Sequence, residues 1–175
     1  MRYLTKSRFK LALECPVKLY YTGKDEYPDQ KKDDDFLAAL AEGGFQVGEL
    51  AKLYYPGGIE INDKGYDVPL EKTLQLLEKD NVVIFEAAFR HANLFIRADI
   101  IVKKGKVINL IEVKSKSFEG DDTGKMVGAK GGLATGWKPY LYDVAFQKHV
   151  IKSAFPGYTV KAFLMLANKD KEGYR

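Results

Sequence analysis

Three consecutive apolar runs in the middle of the chain most constrain what it can fold into. They span residues 81–89, 94–102 and 106–113, and each is rich in Val, Ile and Phe. The segments that separate them, residues 91–93 and 103–105, have the composition of turns. Short strand-forming runs divided in this way predict an antiparallel meander of three strands.

Helical segments lie on both sides of the meander. Apolar spacing and capping residues predict helices at residues 5–21, 36–55, 70–79 and 140–154. Thr5 or Ser7 can cap the first helix, and Pro16 interrupts or restarts it. Gly43 and Gly44 weaken the second helix and could split it. Because alternating apolar residues at 158–167 predict a fourth strand, we expect an α/β fold with a central mixed sheet flanked by helices.

Charged residues interrupt two of these apolar strands. Asp99 lies near the end of the second strand, and Glu112 and Lys114 break the third. Side chains two residues apart on a strand share a face, so Glu112 and Lys114 point the same way. The short turn between the strands allows Asp99 to lie beside Glu112. Two neighbouring carboxylates repel each other unless a cation lies between them, and such oxygen ligands suit Mg²⁺ or Mn²⁺. The carbonyl of Val113 can add another ligand.

A bound cation would give these residues a hydrolytic role. It would lower the pKa of a bound water and neutralise a scissile phosphate, while Lys114 oriented that water or stabilised charge. The alternative is a solvated ion pair at the surface. The flanking Leu110, Ile111 and Val113 favour a functional site, because a strand with apolar neighbours on both sides is buried on both faces and buried charges are costly unless compensated.

Asp99, followed after twelve residues by Glu112-Val113-Lys114, resembles the D…(D/E)-x-K motif of the PD-(D/E)XK nuclease superfamily. The RecB-like branch, which includes the CRISPR-associated RecB-type exonucleases, is the most similar. Four other segments resemble that branch in the same order, over about the whole chain: residues 4–21, 44–49, 85–87 and 143–147. The resemblance implies a restriction-endonuclease-like fold. It also implies catalytic roles for Asp99, Glu112, Lys114 and Gln147, and metal binding by Asp99, Glu112, Val113 and Glu86.

Two positions depart from the pattern of that branch. Its second helix often offers a metal-binding His, and Gly48 stands there in this chain. Glu49, one residue on, or Glu86 on the strand before the motif Asp could substitute. The aromatic residue usual four positions after the motif Gln is replaced by Ile151. Both departures bear on full activity rather than on the fold.

The only cysteine is Cys15. A single cysteine excludes an internal disulfide and indicates a reducing compartment. No apolar run reaches the roughly 18 to 20 residues that cross a bilayer, and the N-terminus has no apolar signal segment. We therefore expect a cytoplasmic protein without a membrane partner. Iron–sulfur members of the resembling branch combine one N-terminal cysteine with three C-terminal ones, so we expect no cluster within these residues.

The resemblance also extends to domain organisation. Residues 1–175 are similar to the N-terminal part of an uncharacterised bacterial family whose members continue into an RNase H-like C-terminal domain. This implies that the chain is a single nuclease-like domain from a longer protein, with that further domain as a partner in the same polypeptide.

The sequence therefore predicts a Mg²⁺- or Mn²⁺-dependent nuclease, an (exo)deoxyribonuclease by resemblance, acting on single- or double-stranded DNA, with exo- and endonuclease action both open. The alternatives are a nucleic-acid-binding module that does not cut and an interaction domain with a vestigial triad. The net charge is only +4, but lysines cluster between residues 103 and 138 and could form a phosphate-facing side. Glycine-rich residues 115–137 are predicted to be a mobile loop. It is expected to close on nucleic acid through Lys116, Lys125 and Lys130, or else to be a plain connector.

Overall fold

The computed structural model describes residues 2–27, 34–119, 126–128 and 130–168. The strands are β1 (Leu4–Thr5), β2 (Ile59–Glu60), β3 (Asn81–His91), β4 (Leu94–Lys104), β5 (Val107–Phe118) and β6 (Thr159–Asn168). The helices are α1 (Lys6–Glu14), α2 (Pro16–Tyr21), α3 (Asp35–Lys52), α4 (Asp67–Leu77) and α5 (Lys138–Ala154).

The strands of the described residues form one mixed sheet. Its main path runs β2-β3-β4-β5-β6. β3, β4 and β5 pair antiparallel, which confirms the predicted meander. β6 pairs parallel with β5, and α5 provides the crossover that a parallel connection needs. The expected α/β class, with a mixed sheet flanked by helices, is therefore confirmed.

Two short strands were not predicted. β1 pairs parallel with the start of β4 (Leu4↔Leu94), and β2 pairs parallel with β3 (Ile59↔Ile84). A two-residue strand is too short to produce the alternating pattern from which strands are predicted. β1 occupies the edge of β4 beyond the last residue that pairs with β5, and it leads directly into α1.

The predicted first helix is divided at Cys15. Thr5 caps α1 by accepting a hydrogen bond from the backbone N–H of Arg8 at 3.4 Å. Cys15 has an extended backbone and is partly buried, and Pro16 starts α2. α3 instead continues through Gly43 and Gly44 without a break. Its packing against β5 offsets the cost of about 1 kcal/mol that each glycine brings to a helix.

The central strands of the sheet are buried on both faces. The larger core joins the sheet to α4 and α5 and includes Ile101, Leu110 and Val150. The smaller core, on the other face, packs Ala51 of α3 against residues that include Ile111. Adjacent Leu110 and Ile111 thus point into different cores, as expected for a strand covered on both sides. No helix in the described part of the chain is both long and apolar enough to cross a membrane.

The first residues of the segment predicted as a glycine-rich loop belong to a strand. β5 continues to Phe118 and, after a bulge between Lys114 and Ser117, still pairs with β6. Backbone hydrogen bonds hold this extension in the sheet. Its side chains are mostly polar, so they do not show the alternation of apolar and polar residues from which strands are predicted. Val127 bridges Leu133 before α5 begins. Residues 120–125, which include Lys125, and Ala129 lie outside the described residues.

Candidate active site

The site lies where β4 and β5 stop pairing. The last backbone pair on that side is Ile100↔Ile111, and Asp99 and Glu112 are the next residues of the two strands. Beyond this pair, Oδ2 of Asp99 accepts a hydrogen bond from the backbone N–H of Val113 at 2.8 Å. The Asp99 side chain thus links the two strands at the point where they diverge.

Glu112 is fully buried, with 0% of its surface exposed. Its carboxylate accepts a hydrogen bond from Nε2 of Gln147 at 2.7 Å and another from Lys114 on its own strand. Nζ of Lys6 lies 3.1 Å from each of its two oxygens. Burial of an ionised carboxylate is costly unless partners of this kind compensate it, so the structure supports a charged Glu112.

Lys6 is a site residue that the sequence did not predict. It is the first residue of α1, and its Nζ lies 3.2 Å from Oδ1 of Asp99 as well as contacting Glu112. Its ammonium group therefore occupies the gap between the two carboxylates, where the sequence predicted a metal cation. Lys6 and Asp99 are 93 residues apart, and the pairing of β1 with β4 brings them together.

Asp143 is a second residue that was not assigned to the site. It is 1% exposed on α5, one turn before Gln147. Its Oδ1 accepts a hydrogen bond from Gln147 at 3.1 Å, and its Oδ2 lies 3.1 Å from Nζ of Lys114. The sequence feature that could have identified Asp143 is an acidic residue four positions before Gln147, on the buried face of a predicted helix. Asp143 and Glu112 together fix the Lys114 ammonium group.

Burial and neighbouring charges shift the pKa values of these groups in different directions. Burial opposes ionisation of Glu112, but the Lys6 and Lys114 ammonium groups outweigh it and hold the pKa of Glu112 at about 2. Burial raises the pKa of Asp99, and the Glu112 charge raises it further against the effect of Lys6. Burial also opposes the Lys6 charge, but Asp99 and Glu112 outweigh it and raise the pKa of Lys6.

A cleft of about 450 Å³ opens onto these residues. The cationic side chains that line it are Lys6, Lys52, Arg97 and Lys114, and the acidic ones are Glu49, Glu60, Glu86, Asp99 and Glu112. The acidic side chains outnumber the cationic ones by one. A phosphate entering the metal-free cleft would therefore meet a lining with a small net negative charge.

Glu86 lies in β3, level with Asp99 of β4. The pairs Phe85↔Ile100 and Ala87↔Ala98 flank this position. Glu86 has a φ of 57°, in the left-handed region that side-chain-bearing residues rarely adopt. Burial and the charge of Asp99 raise the pKa of its carboxyl group. The structure thus brings Glu86 to the cleft beside Asp99.

The position of the family His is also on the cleft. Gly48 of α3 lines it, and a Cβ added there would meet no atom within 4 Å. Glu49 lines the same cleft, but its Oε1 lies 2.6 Å from Nζ of Lys52. Of the two suggested substitutes, Glu86 lies next to Asp99, and its Oε2 lies 3.4 Å from Nε of Arg97, whereas Glu49 is paired with a lysine. Ile151 is fully buried in the larger core.

The described lysines of residues 103–138 do not form one continuous face. Lys103 is buried, and its Nζ donates to the carbonyl of Lys79 at 2.5 Å. Lys104 and Lys106 lie at the β4–β5 hairpin, about 16 Å from Glu112 at roughly 3.3 Å per strand residue. Lys116 is closer to the site and lies 4.9 Å from the ring centroid of Trp137. Lys130 is exposed.

The donor set at the carboxylate pair fits a hard divalent cation. Asp99 and Glu112 supply carboxylate oxygens, and the Val113 carbonyl and Glu86 lie on the same or the adjacent strand. Across the described ranges, however, no group of three or more His, Cys, Asp or Glu side chains is arranged to hold a metal ion. The Lys6 ammonium group would have to leave the gap before a cation could enter.

Sequence comparisons do not place this chain in a family. No protein-family model matches it, and no curated protein matches its sequence. The fold and the carboxylate–lysine cluster therefore carry the functional argument.

Proposed function

We propose that this domain is a metal-dependent nuclease of the PD-(D/E)XK type, in its RecB-like branch, that hydrolyses phosphodiester bonds in DNA. The observation that carries the proposal is the convergence of Asp99, buried Glu112 and Lys114 at the divergence of two central strands, on an open cleft. A buried Glu112 carboxylate beside a partly buried Asp99 and a lysine suits phosphate chemistry better than it suits stability, because buried ion pairs contribute little to folding.

Each residue has a distinct role in this proposal. Asp99 and Glu112 hold Mg²⁺ or Mn²⁺, with the Val113 carbonyl and Glu86 as further oxygen donors. The bound cation supplies Lewis-acid polarisation of the phosphate and an activated water. Lys114, fixed by Glu112, orients the nucleophile or stabilises charge on the phosphate. Gln147 positions Glu112 through the 2.7 Å hydrogen bond.

The charge of the cleft supports a need for a cation. With one more acidic than cationic side chain, the empty cleft does not favour a phosphate. A divalent cation would reverse the sign of that balance, so metal and nucleic acid would bind cooperatively.

A second candidate is a nucleic-acid-binding module that does not cut. The position of Lys6 favours it, because an ammonium group 3.1 to 3.2 Å from both carboxylates neutralises them without a metal. In this case the domain would serve a larger nuclease protein as a binding unit.

A cleavage assay on labelled single- and double-stranded DNA, with Mg²⁺, Mn²⁺ or EDTA, separates the two candidates. The nuclease proposal expects metal-dependent cleavage that Asp99→Asn abolishes. Lys114→Ala should keep the fold and metal binding but lose about 10²- to 10³-fold in rate, the usual effect of removing one charge-stabilising group. Lys104→Ala, at the remote hairpin, should cleave like wild type.

Two results would contradict the nuclease proposal. Wild-type turnover by Lys114→Ala would show that Lys114 does not have its assigned role. Cleavage that persists in EDTA would show that the reaction does not need a metal. DNA binding without cleavage under any of these metals would favour the binding module.

A further inference from the structure

We propose that Lys6 is an internal counter-ion that competes with the divalent cation for Asp99 and Glu112, and so sets the metal affinity of the site. The inference rests on the proposed metal site and adds a means by which this chain regulates it. In the metal-free state the lysine holds the carboxylate pair together, and metal binding displaces it.

The contacts of the ammonium group carry this inference. An ammonium group has three N–H donors, and three carboxylate oxygens lie within hydrogen-bond distance of Nζ. These are Oδ1 of Asp99 at 3.2 Å and both oxygens of Glu112 at 3.1 Å. The donors are therefore matched to the same oxygens that a metal would need. A cation cannot occupy this gap while Lys6 remains in it.

The backbone around Lys6 is anchored, so displacement needs only side-chain motion. Leu4 pairs with Leu94 of the sheet, and Thr5 caps the helix. One turn further, Phe9 stacks on Phe146 of α5 with ring centroids 4.3 Å apart. The lysine stem is flexible, and Lys6 lines the cleft with its side chain 21% exposed. The ammonium group can therefore leave the gap for the cleft while α1 stays docked.

The other lysines near the site do not lie between Asp99 and Glu112. Lys114 contacts Glu112 and Asp143, and no ion pair joins it to Asp99 among the described contacts. Lys10, on the same helix as Lys6, lies 3.8 Å from Oδ2 of Asp143 and is 44% exposed. Lys10→Met is therefore a matched control, since it removes a cation from the same helix without uncovering the carboxylate pair.

Competition predicts a specific change in metal affinity. When only a fraction of molecules has a competent site, the apparent affinity falls by that fraction. Titration calorimetry with Mn²⁺ on the metal-free chain should therefore show Lys6→Met binding roughly tenfold or more tightly than wild type, if Lys6 fills the gap in most molecules. Lys10→Met should bind like wild type.

Thermal unfolding gives a second readout that is independent of cleavage. Without Lys6, buried Glu112 and partly buried Asp99 lose their shared counter-ion and repel each other, so metal-free Lys6→Met should melt below wild type. Mn²⁺ should raise its melting temperature by more than it raises that of wild type, because tighter binding stabilises the folded state more. Should Lys6→Met not fold alone, the proposal requires that Mn²⁺ restores folding, and failure to do so overturns it.

The outcomes separate this inference from the proposed function. If wild type binds Mn²⁺ and Lys6→Met binds it equally or more weakly, competition is overturned while the metal site stands. If neither protein binds Mn²⁺, both the inference and the proposed metal site are wrong. Binding by Lys6→Met alone would support the inference and show that wild-type Lys6 keeps metal out.

Discussion

At the scale of single residues, buried Glu112 is stabilised by groups from distant parts of the chain. Lys6 from α1, Lys114 from its own strand and Gln147 from α5 all reach its carboxylate. Removing any one of these three side chains would leave the Glu112 charge buried with less compensation. Such a loss destabilises the folded state more than replacing the whole charged group by apolar residues.

This arrangement predicts a loss of stability in acid. The pKa of Glu112 falls from 4.5 to about 2 on folding, so the unfolded chain binds more protons in that interval. Stability from Glu112 is thus complete above pH 4.5 and is lost as pH falls towards 2. In Glu112→Gln the metal-free protein should lose less stability over this interval, as measured by urea unfolding across a pH series.

Asp99 provides a control of opposite sign. Its pKa is raised on folding, so its protonation favours the folded state as pH falls. Asp99→Asn removes that opposing contribution and should make the acid loss steeper than in wild type. If the free energy of unfolding falls equally steeply with pH in wild type and in Glu112→Gln, the assigned charge state of Glu112 is wrong.

At the scale of elements, β3 carries a distortion at the site. Glu86 has a φ of 57° between two regular pairs of the β3–β4 ladder. Residues held in left-handed conformations persist where surrounding structure requires them and are frequent at functional sites. Here the distortion lies at a proposed metal ligand, within an otherwise buried strand.

The strain at Glu86 can be measured by comparing two truncations. Left-handed backbone costs side-chain-bearing residues about 1 to 2 kcal/mol, whereas glycine costs about 0.5 to 1 kcal/mol relative to alanine in a strand. Glu86→Gly should therefore be more stable than Glu86→Ala by about 0.5 to 1 kcal/mol in chemical denaturation. Both variants lose the Arg97 contact equally.

Ala88 of the same strand is the comparison site for backbone conformation, because its φ is not positive. Unlike the Glu86 side chain, which is 40% exposed, Ala88 is fully buried. Ala88→Gly should destabilise the protein, which shows that glycine is not stabilising throughout β3. A Glu86→Gly variant less stable than Glu86→Ala would argue against backbone strain.

At the scale of the whole molecule, positive charge does not surround the site evenly. The hairpin lysines lie at the far end of β4 and β5, while Lys116 continues along β5 beyond Lys114. Lys130 is exposed in the segment before α5. Nucleic acid in the cleft would therefore lie closer to Lys116 than to the hairpin lysines, and the predicted closing of the loop on nucleic acid would add Lys130.

This placement predicts which lysines affect the salt dependence of DNA binding. In a Lys114→Ala background that slows cleavage, neutralising Lys116 and Lys130 to Gln should reduce the slope of log K against log salt. The reduction is about 0.9 for each lost duplex phosphate contact. Lys104→Gln at the hairpin should leave the slope unchanged. Binding isotherms over a salt series measure this slope. If the slope is unchanged in the Lys116 and Lys130 variant as well as in Lys104→Gln, residues 115–137 are a plain connector.

The sequence by itself determined the central architecture and three residues of the candidate site. Apolar runs separated by short turns predicted the meander, since strand alternation and turn composition are local properties. The same alternation placed Glu112 and Lys114 on one face, and the short connection placed Asp99 beside them. Gln147 was assigned only through the resemblance.

Only the tertiary structure decided what fills the space between the carboxylates. Lys6 lies 93 residues from Asp99 and 106 from Glu112, and a two-residue strand with no side-chain pattern brings it there. Asp143 likewise reaches Lys114 only because α5 packs on the sheet. Backbone pairing and long-range docking leave no periodic trace in a sequence, so the ammonium group at the proposed metal position emerged only from the folded chain.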